Sequence, residues 1–139
     1  MTVFISYANE DKHVAKSACA NLEAAGISCW LPPSEVVPGA RPHVAIMEAI
    51  DHCRVFVVIV SASTNLSLRV WLEVERAVNR GVMLIPMRIQ DTLSAPALAS
   101  YLVTVHWLDA LALPLETHFQ LLADKVKRLL VINGANRRC

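Results

Sequence analysis

Six consecutive residues, Val55-Phe56-Val57-Val58-Ile59-Val60, are apolar and mostly β-branched. A strand with one face in water alternates polar and apolar side chains. A run without alternation needs cover on both faces, which is the situation of a central strand in a parallel sheet. Parallel neighbours are joined by long crossovers, usually helical. The run is far shorter than the ~20 apolar residues a bilayer span requires, and no basic segment followed by a signal-type apolar stretch opens the chain. These features lead us to expect a soluble, cytoplasmic α/β protein.

The flanking sequence supplies the crossovers. Val3 to Tyr7 is a short β-prone run, and Asn9 is a plausible N-cap for a helix that buries Val14, Ala18, Leu22 and Ala25 and stops at Gly26. Ile27 to Trp30 reads as a second strand, followed by a long loop over residues 31–41 with Pro32-Pro33 and Pro38-Gly39. Pro42 suits the first turn of the next helix, whose apolar stripe is Val44, Met47 and Ile50. After the central run, Ser61 to Ser67 is a polar loop, and Val70, Val74, Ala77 and Val78 mark a third helix ending near Gly81. Met83 to Ile89 is another strand, in which Pro86 forfeits a ladder hydrogen bond and argues for an edge or a bulge. Asp91 to Ser100 is loop or short helix, Tyr101 to Leu108 contains a short strand, and Leu115 to Leu130 is a closing amphipathic helix. The predicted architecture is a flavodoxin-like, doubly wound sheet of five mostly parallel strands flanked by helices, occupying residues 1–132, with 133–139 a polar tail or the start of a linker.

In such sheets ligands sit at the carboxyl ends of the strands, so the loops after Tyr7, Trp30 and Val60 should share one rim. Much familiar chemistry is absent from it. Four glycines in the whole chain build no G-x-G-x-x-G or Walker-type phosphate cradle. The five histidines are scattered without ligand spacing, and Cys19, Cys29, Cys53 and Cys139 form no C-x-x-C pair, so no metal site is expected and the thiols should be free. There is no G-x-S-x-G elbow. The first and third strands end in Ser6-Tyr7 and Ser61 instead of the clustered aspartates of a phosphate receiver. A formal charge of +1 gives no broad field for nucleic acid or an anionic membrane.

What remains near the rim is aromatic and polar: Phe4, Ser6, Tyr7, Trp30, Ser61, Asn65, Ser67, Arg69, Trp71 and one acid, Glu73. Glu73 is placed on the flank of the third helix, between Arg69 at i−4 and Arg76 at i+3. An Arg-Glu-Arg face by itself is a solvated ion-pair surface, but this one follows the central strand and therefore approaches the rim. Trp30 and Trp71 fit core or interface packing as well as they fit ring stacking.

The segments Val3-Phe4-Ile5-Ser6-Tyr7 with Asp11, Gly26 to Trp30 leading to Val37-Pro38-Gly39, Ala45-Ile46 spaced to Ala49-Ile50, and Ser61-x-Ser-x-Asn-x-Ser67-x-x-Val70-x-x-Glu73-Val-Glu-Arg-Ala77-Val together resemble a bacterial Toll/interleukin-1 receptor (TIR) domain. The resemblance runs from about Thr2 to Leu130. It implies a flavodoxin-like fold and, for many bacterial members, NAD⁺ glycohydrolase activity that depends on one glutamate. On the Ser67-x-x-Val70-x-x-Glu73-Val74 pattern that residue is Glu73, whereas Glu75 points about 200° away around the helix. NAD⁺ would be substrate, with no cofactor, and Phe4, Ser6, Tyr7, Trp30, Ser61, Arg69 and Trp71 would be its candidate contacts. Many relatives carry an aspartate or an Arg-Asp pair in the loop after the second strand; this chain departs from them with Pro33-Ser34-Glu35, where Glu35 is the substitute at hand.

The resemblance further implies self-association with other TIR domains through the loop carrying Val37, Pro38, Gly39 and Arg41. A fused or associated sensor module, nucleotide-activated in some defence proteins, would supply the trigger in antiviral defence or signalling. The alternatives are an adaptor that only pairs with other TIR domains, and a nucleotide binder without catalysis.

Overall fold

In a computed structural model of the chain, residues 2–32, 42–92, 94–102, 106–112 and 114–137 are described. The strands are β1 (Val3–Ser6), β2 (Cys29–Trp30), β3 (Val55–Val60), β4 (Met83–Arg88) and β5 (Leu108–Asp109). The helices are α1 (Lys12–Ala24), α2 (Pro42–His52), α3 (Leu68–Asn79), α4 (Pro96–Tyr101) and α5 (Leu115–Arg137), with 3₁₀ turns at Asn9–Asp11 and Ser63–Leu66. The five strands form one sheet in the order β2-β1-β3-β4-β5, and every adjacent pair is parallel. This is the flavodoxin-like order.

β3 lies at the centre, and all six of its side chains are buried, as an unalternated apolar run demands. Its odd residues Val55, Val57 and Ile59 pack with Val3 and Ile5 of β1 against α1 and α5, through Ala15, Ala18, Leu22, Phe119, Leu122 and Val126. Its even residues Phe56, Val58 and Val60 pack with Phe4 against α2, α3 and α4, through Ile46, Ile50, Val70, Val74, Leu98 and Leu102. Two layers of helices thus sandwich the sheet.

Both predicted glycine stops terminate helices. Gly26 (φ +84°) and Gly81 (φ +70°) adopt the left-handed conformation. Around them, Ile27 N–H donates to the Leu22 carbonyl (2.9 Å) and Val82 N–H to that of Ala77 (3.0 Å). The glycine N–H groups bond to Glu23 and Val78, completing Schellman closures.

Several elements depart from the sequence reading. Asn9 caps no helix: Asp11 holds the N-cap position of α1 without a side-chain cap, because its carboxylate accepts from Ser61 instead. In α1 the buried positions are Ala15, Ala18 and Leu22, with Val14 and Ala25 only half-buried. In α2 the inward face is Ile46, Ala49 and Ile50, which leaves Val44 48% exposed and Met47 half-buried. Pro86 sits in a strand paired on both sides. Alternate residues of a parallel strand address opposite neighbours, and Ile89 N–H bonds to β3 while the Arg88 carbonyl serves Ala110 after β5. Position 86 therefore faces β5, whose pairing reaches only Met87 and Arg88, so the missing donor has no ladder partner to lose. Tyr101 ends α4 and the last strand forms later, at Leu108. The closing helix continues past Leu130 to Arg137, through most of the segment predicted as a polar tail.

Candidate active site

Ser6 is the last residue of β1 and is paired with Val58 of β3. Its side chain projects to the same face as Phe4, toward α3. That helix opens with Ser67 at its N-cap, whose hydroxyl accepts from Val70 N–H (3.3 Å). With α3 held on the sheet by Val70, Val74 and Ala77, position 73 falls about 60° from Val70 and about 40° from Ala77 around the helix. Glu73 therefore belongs to the inward stripe, not to the flank, and is 1% exposed. Ser6 Oγ donates to Glu73 Oε1 at 2.6 Å. Oε2 is buried with no hydrogen-bond partner among the described residues, and Arg69 Nε stands 4.0 Å from it. Burial pushes the carboxyl up to about 7, with the Ser6 hydrogen bond and the Arg69 charge pulling partly the other way.

The solvated Arg-Glu-Arg face of the sequence reading does not form. Arg76 turns to α2, where its Nε and Nη2 hold Asp51 at 2.8 and 2.7 Å. Arg80 adds a contact to Asp51 at 3.1 Å. The Arg76 hydrogen bonds hold the Asp51 carboxyl below the usual carboxylate range. Only Arg69 stays with Glu73. Its guanidinium lies over the Tyr7 ring (4.9 Å to the centroid) and donates to the Tyr7 carbonyl, with the side chain 29% exposed.

The other predicted contacts divide. Phe4 is fully buried, stacked on Phe56 and Trp30 with centroids 5.2 Å away in each case. It is a core residue, because its place in mid-strand puts it beneath two helices. Trp30 pairs with Phe4 in the sheet, two residues short of Ser6, and lines a shallow depression with Ala45, Glu48, Ala49 and His52 of α2. At about 3.3 Å per residue that is some 7 Å below the strand end. Trp71 lies about 160° around α3 from Glu73 and packs, half-buried, into the core layer of α2, α3 and α4. It shares no face with the carboxylate. Tyr7 is buried, and its hydroxyl donates to the Pro32 carbonyl at 2.8 Å, tying the end of β1 to the start of the following loop. Ser61 Oγ is committed to Asp11 Oδ2 at 2.5 Å. Val37, Pro38, Gly39 and Arg41, like Glu35, lie outside the described residues.

Sequence reasoning missed what Asp11, Thr64 and Asp51 do. Thr64 Oγ1 accepts from Ser61 N–H (2.9 Å) and donates to the Ile59 carbonyl (2.9 Å), closing the chain end of β3. The S-x-S-T run after an apolar strand is a legible signal for such side-chain turns. Among the described residues no group of His, Cys, Asp or Glu could hold a metal ion, and no helix is long and apolar enough to cross a membrane. Cys19, Cys29 and Cys53 are free thiols.

A family model described as TIR domain matches residues 3–123. The chain belongs to the TIR-domain family. Its fold is similar to the TIR domain of the Toll-related receptor TRR-2 from Hydra magnipapillata, with TM-score 0.71, 22% identity, and 90% of this chain and 97% of that one covered. The TIR domain heterodimer of RPS4 and RRS1 matches with TM-score 0.69 and 14% identity over 92% and 96% of the two chains. The Clostridium botulinum CMP N-glycosidase BcmB matches with TM-score 0.60 and 17% identity over 88% and 98%. At these identities the likeness is one of fold. No curated protein sequence matches this TIR domain.

Proposed function

We propose that this TIR domain hydrolyses the nicotinamide–ribose bond of NAD⁺, with Glu73 as the catalytic carboxylate. The observation that carries the reading is a buried glutamate at the strand ends with one oxygen fixed by Ser6 and the other unpartnered. Breaking the C1′–N bond sends its electron pair to the pyridinium ring, which leaves as neutral nicotinamide and needs no proton. Positive charge develops on the ribose, as in glycoside hydrolysis, but the second, acid carboxylate of a glycosidase is unnecessary. One ionised carboxylate facing the ribose stabilises that charge. Water, or a nucleophile within the ADP-ribose, then bonds to C1′ and releases a proton. The part-exposed Arg69 beside Glu73 suits a phosphate or ribose oxygen. That the fold also serves a CMP N-glycosidase supports N-glycosidic chemistry.

The single chain keeps Glu73 out of water, which fits activation by self-association with another TIR domain, driven by a sensor module of a defence or signalling protein. The test is nicotinamide release at high protein concentration or under forced assembly, wild type beside Glu73→Gln. Loss of about a hundredfold or more is expected; equal turnover removes Glu73 from the mechanism. A TIR–TIR adaptor is the second reading, favoured by the TIR heterodimer among the structural relatives. Assembly without turnover supports it.

A further inference from the structure

The Ser6–Glu73 contact assigns Ser6 a role different from substrate contact: we propose that Ser6 is a positioning residue, which locks Glu73 Oε1 and thereby makes Oε2 the single working oxygen of the site. The inference rests on the reading of Glu73 as the catalytic carboxylate.

Ser6 is 0% exposed and its hydroxyl is already bonded to the carboxylate, so what it contributes to a ligand passes through Glu73. Residues around it on the same face, Phe4, Val58 and Val60, are apolar and buried, so the hydroxyl stands against a hydrocarbon wall with the carboxylate in front of it. A hydroxyl has one proton, and here it is given to Oε1 at 2.6 Å, the short distance of a charge-assisted bond. A carboxylate on a three-bond side chain is free to rotate its end group; a fixed hydrogen bond to one oxygen removes that freedom and aims the other. Oε2 is left with no hydrogen bond and with Arg69 at 4.0 Å. An unsatisfied buried carboxylate oxygen is costly, and a ribose hydroxyl or the ribose cation is a partner that would satisfy it.

The same geometry decides where a proton goes. With Oε1 occupied by the Ser6 donor, protonation of Glu73 falls on Oε2, the oxygen the substrate needs. Tyr7, Arg69 and Ser6 are the titratable or polar groups that face Glu73 from β1 and α3. Activity should therefore rise with pH as Oε2 deprotonates, and removing the Ser6 donor should move that rise to higher pH.

The test compares wild type, Ser6→Ala, Ser6→Thr and Glu73→Gln for nicotinamide release across pH 5–9, with KM and kcat separated. For Ser6→Ala the acidic limb is expected to move up by about one unit, giving roughly tenfold less turnover at pH 6, a kcat lowered several-fold at pH 9, and KM within about twofold. Ser6→Thr, which keeps the hydroxyl, should restore the wild-type profile. An unchanged pH profile and kcat in Ser6→Ala overturns the proposal, and so does a rise in KM with kcat unchanged, which would make Ser6 a substrate contact. Should Ser6→Ala fail to fold, Ser6→Cys, close in size and a poor donor, carries the same comparison. The Glu73 carboxyl is also titrated by carbon NMR in glutamate-labelled protein, assigned by the signal missing from Glu73→Gln. If wild type releases no nicotinamide, the catalytic reading fails; if the Glu73 titration does not shift in Ser6→Ala, the positioning role fails whatever the turnover.

Discussion

Replacing Glu73 by Gln should make the protein more stable, and increasingly so as pH rises. In the folded chain burial raises the carboxyl from an ordinary 4.5 to about 7. A group whose folded value lies above its unfolded value binds more protons when folded between the two, so stability falls as pH rises through that window. The difference of about 2.5 units, at 1.36 kcal/mol each, amounts to roughly 3 kcal/mol lost by the wild type between pH 4 and pH 8. Gln cannot ionise, keeps a carbonyl oxygen to accept from Ser6, and escapes this loss. Urea denaturation of both proteins at pH 4, 6 and 8 measures it. The stability gap should open by about 3 kcal/mol in favour of Glu73→Gln, and the effects of other carboxylates cancel between the two proteins. A gap that stays flat with pH, or that opens the other way, would show that Glu73 titrates as a solvated or salt-bridged group and would refute the buried-carboxylate argument.

Trp71→Phe should leave nicotinamide release within about twofold and stability within ~1 kcal/mol, because the indole lies away from Glu73 and its buried Nε1 has no acceptor to lose; a hundredfold loss of turnover would restore Trp71 to the site. Ile59→Ala removes a fully buried side chain from the central strand and should cost ~2–5 kcal/mol, read as a lowered urea midpoint with activity lost only as the fold is lost. Asp51→Ala should lower Tm by releasing Arg76 and Arg80 from the α2–α3 contact, and the deficit should shrink in 1 M salt, where exposed charge pairs are screened; a salt-independent deficit would point to packing instead. Ser61→Ala should destabilise by ~1–3 kcal/mol, measured by thermal unfolding at pH 7, since it strips the hydrogen bond from a half-buried Asp11 carboxylate.

The central run, the helix-stopping glycines and the parallel pairing of the strands were legible because each follows from local rules: lack of alternation, positive φ, and crossover length. The inward faces of α1 and α2 were harder. Val44 and Val14 look as apolar as Ile46 and Ala15, and which one turns inward is set by how the helix docks on the sheet. The same limit explains the misplacement of Glu73. An acid next to a hydrophobic stripe reads as a flank, since burying a carboxylate is unfavourable, and nothing within α3 reveals that a serine 67 positions earlier waits to bond it. Arg76 was drawn to Glu73 by helical spacing, while its actual partner Asp51 belongs to another helix.

The energetics of Glu73 also bear on whether this domain is more than a docking module. A surface used only for pairing has no need of an ionisable group in the helix–sheet interface, and a neutral side chain at position 73 would spare the fold its pH-dependent loss of stability. The Ser6 bond offsets only part of that loss, because it serves one oxygen and leaves the other bare. An arrangement that satisfied the carboxylate fully would be better for stability and useless for stabilising a cation on a ribose. Perturbed carboxylates of this kind gather at reactive sites, and the half-satisfied state of Glu73 is what separates the two readings: if Glu73→Gln gains stability at pH 8 while assembly is unchanged and turnover disappears, the unmet oxygen is there for chemistry; if it gains stability and loses nothing, the adaptor reading stands.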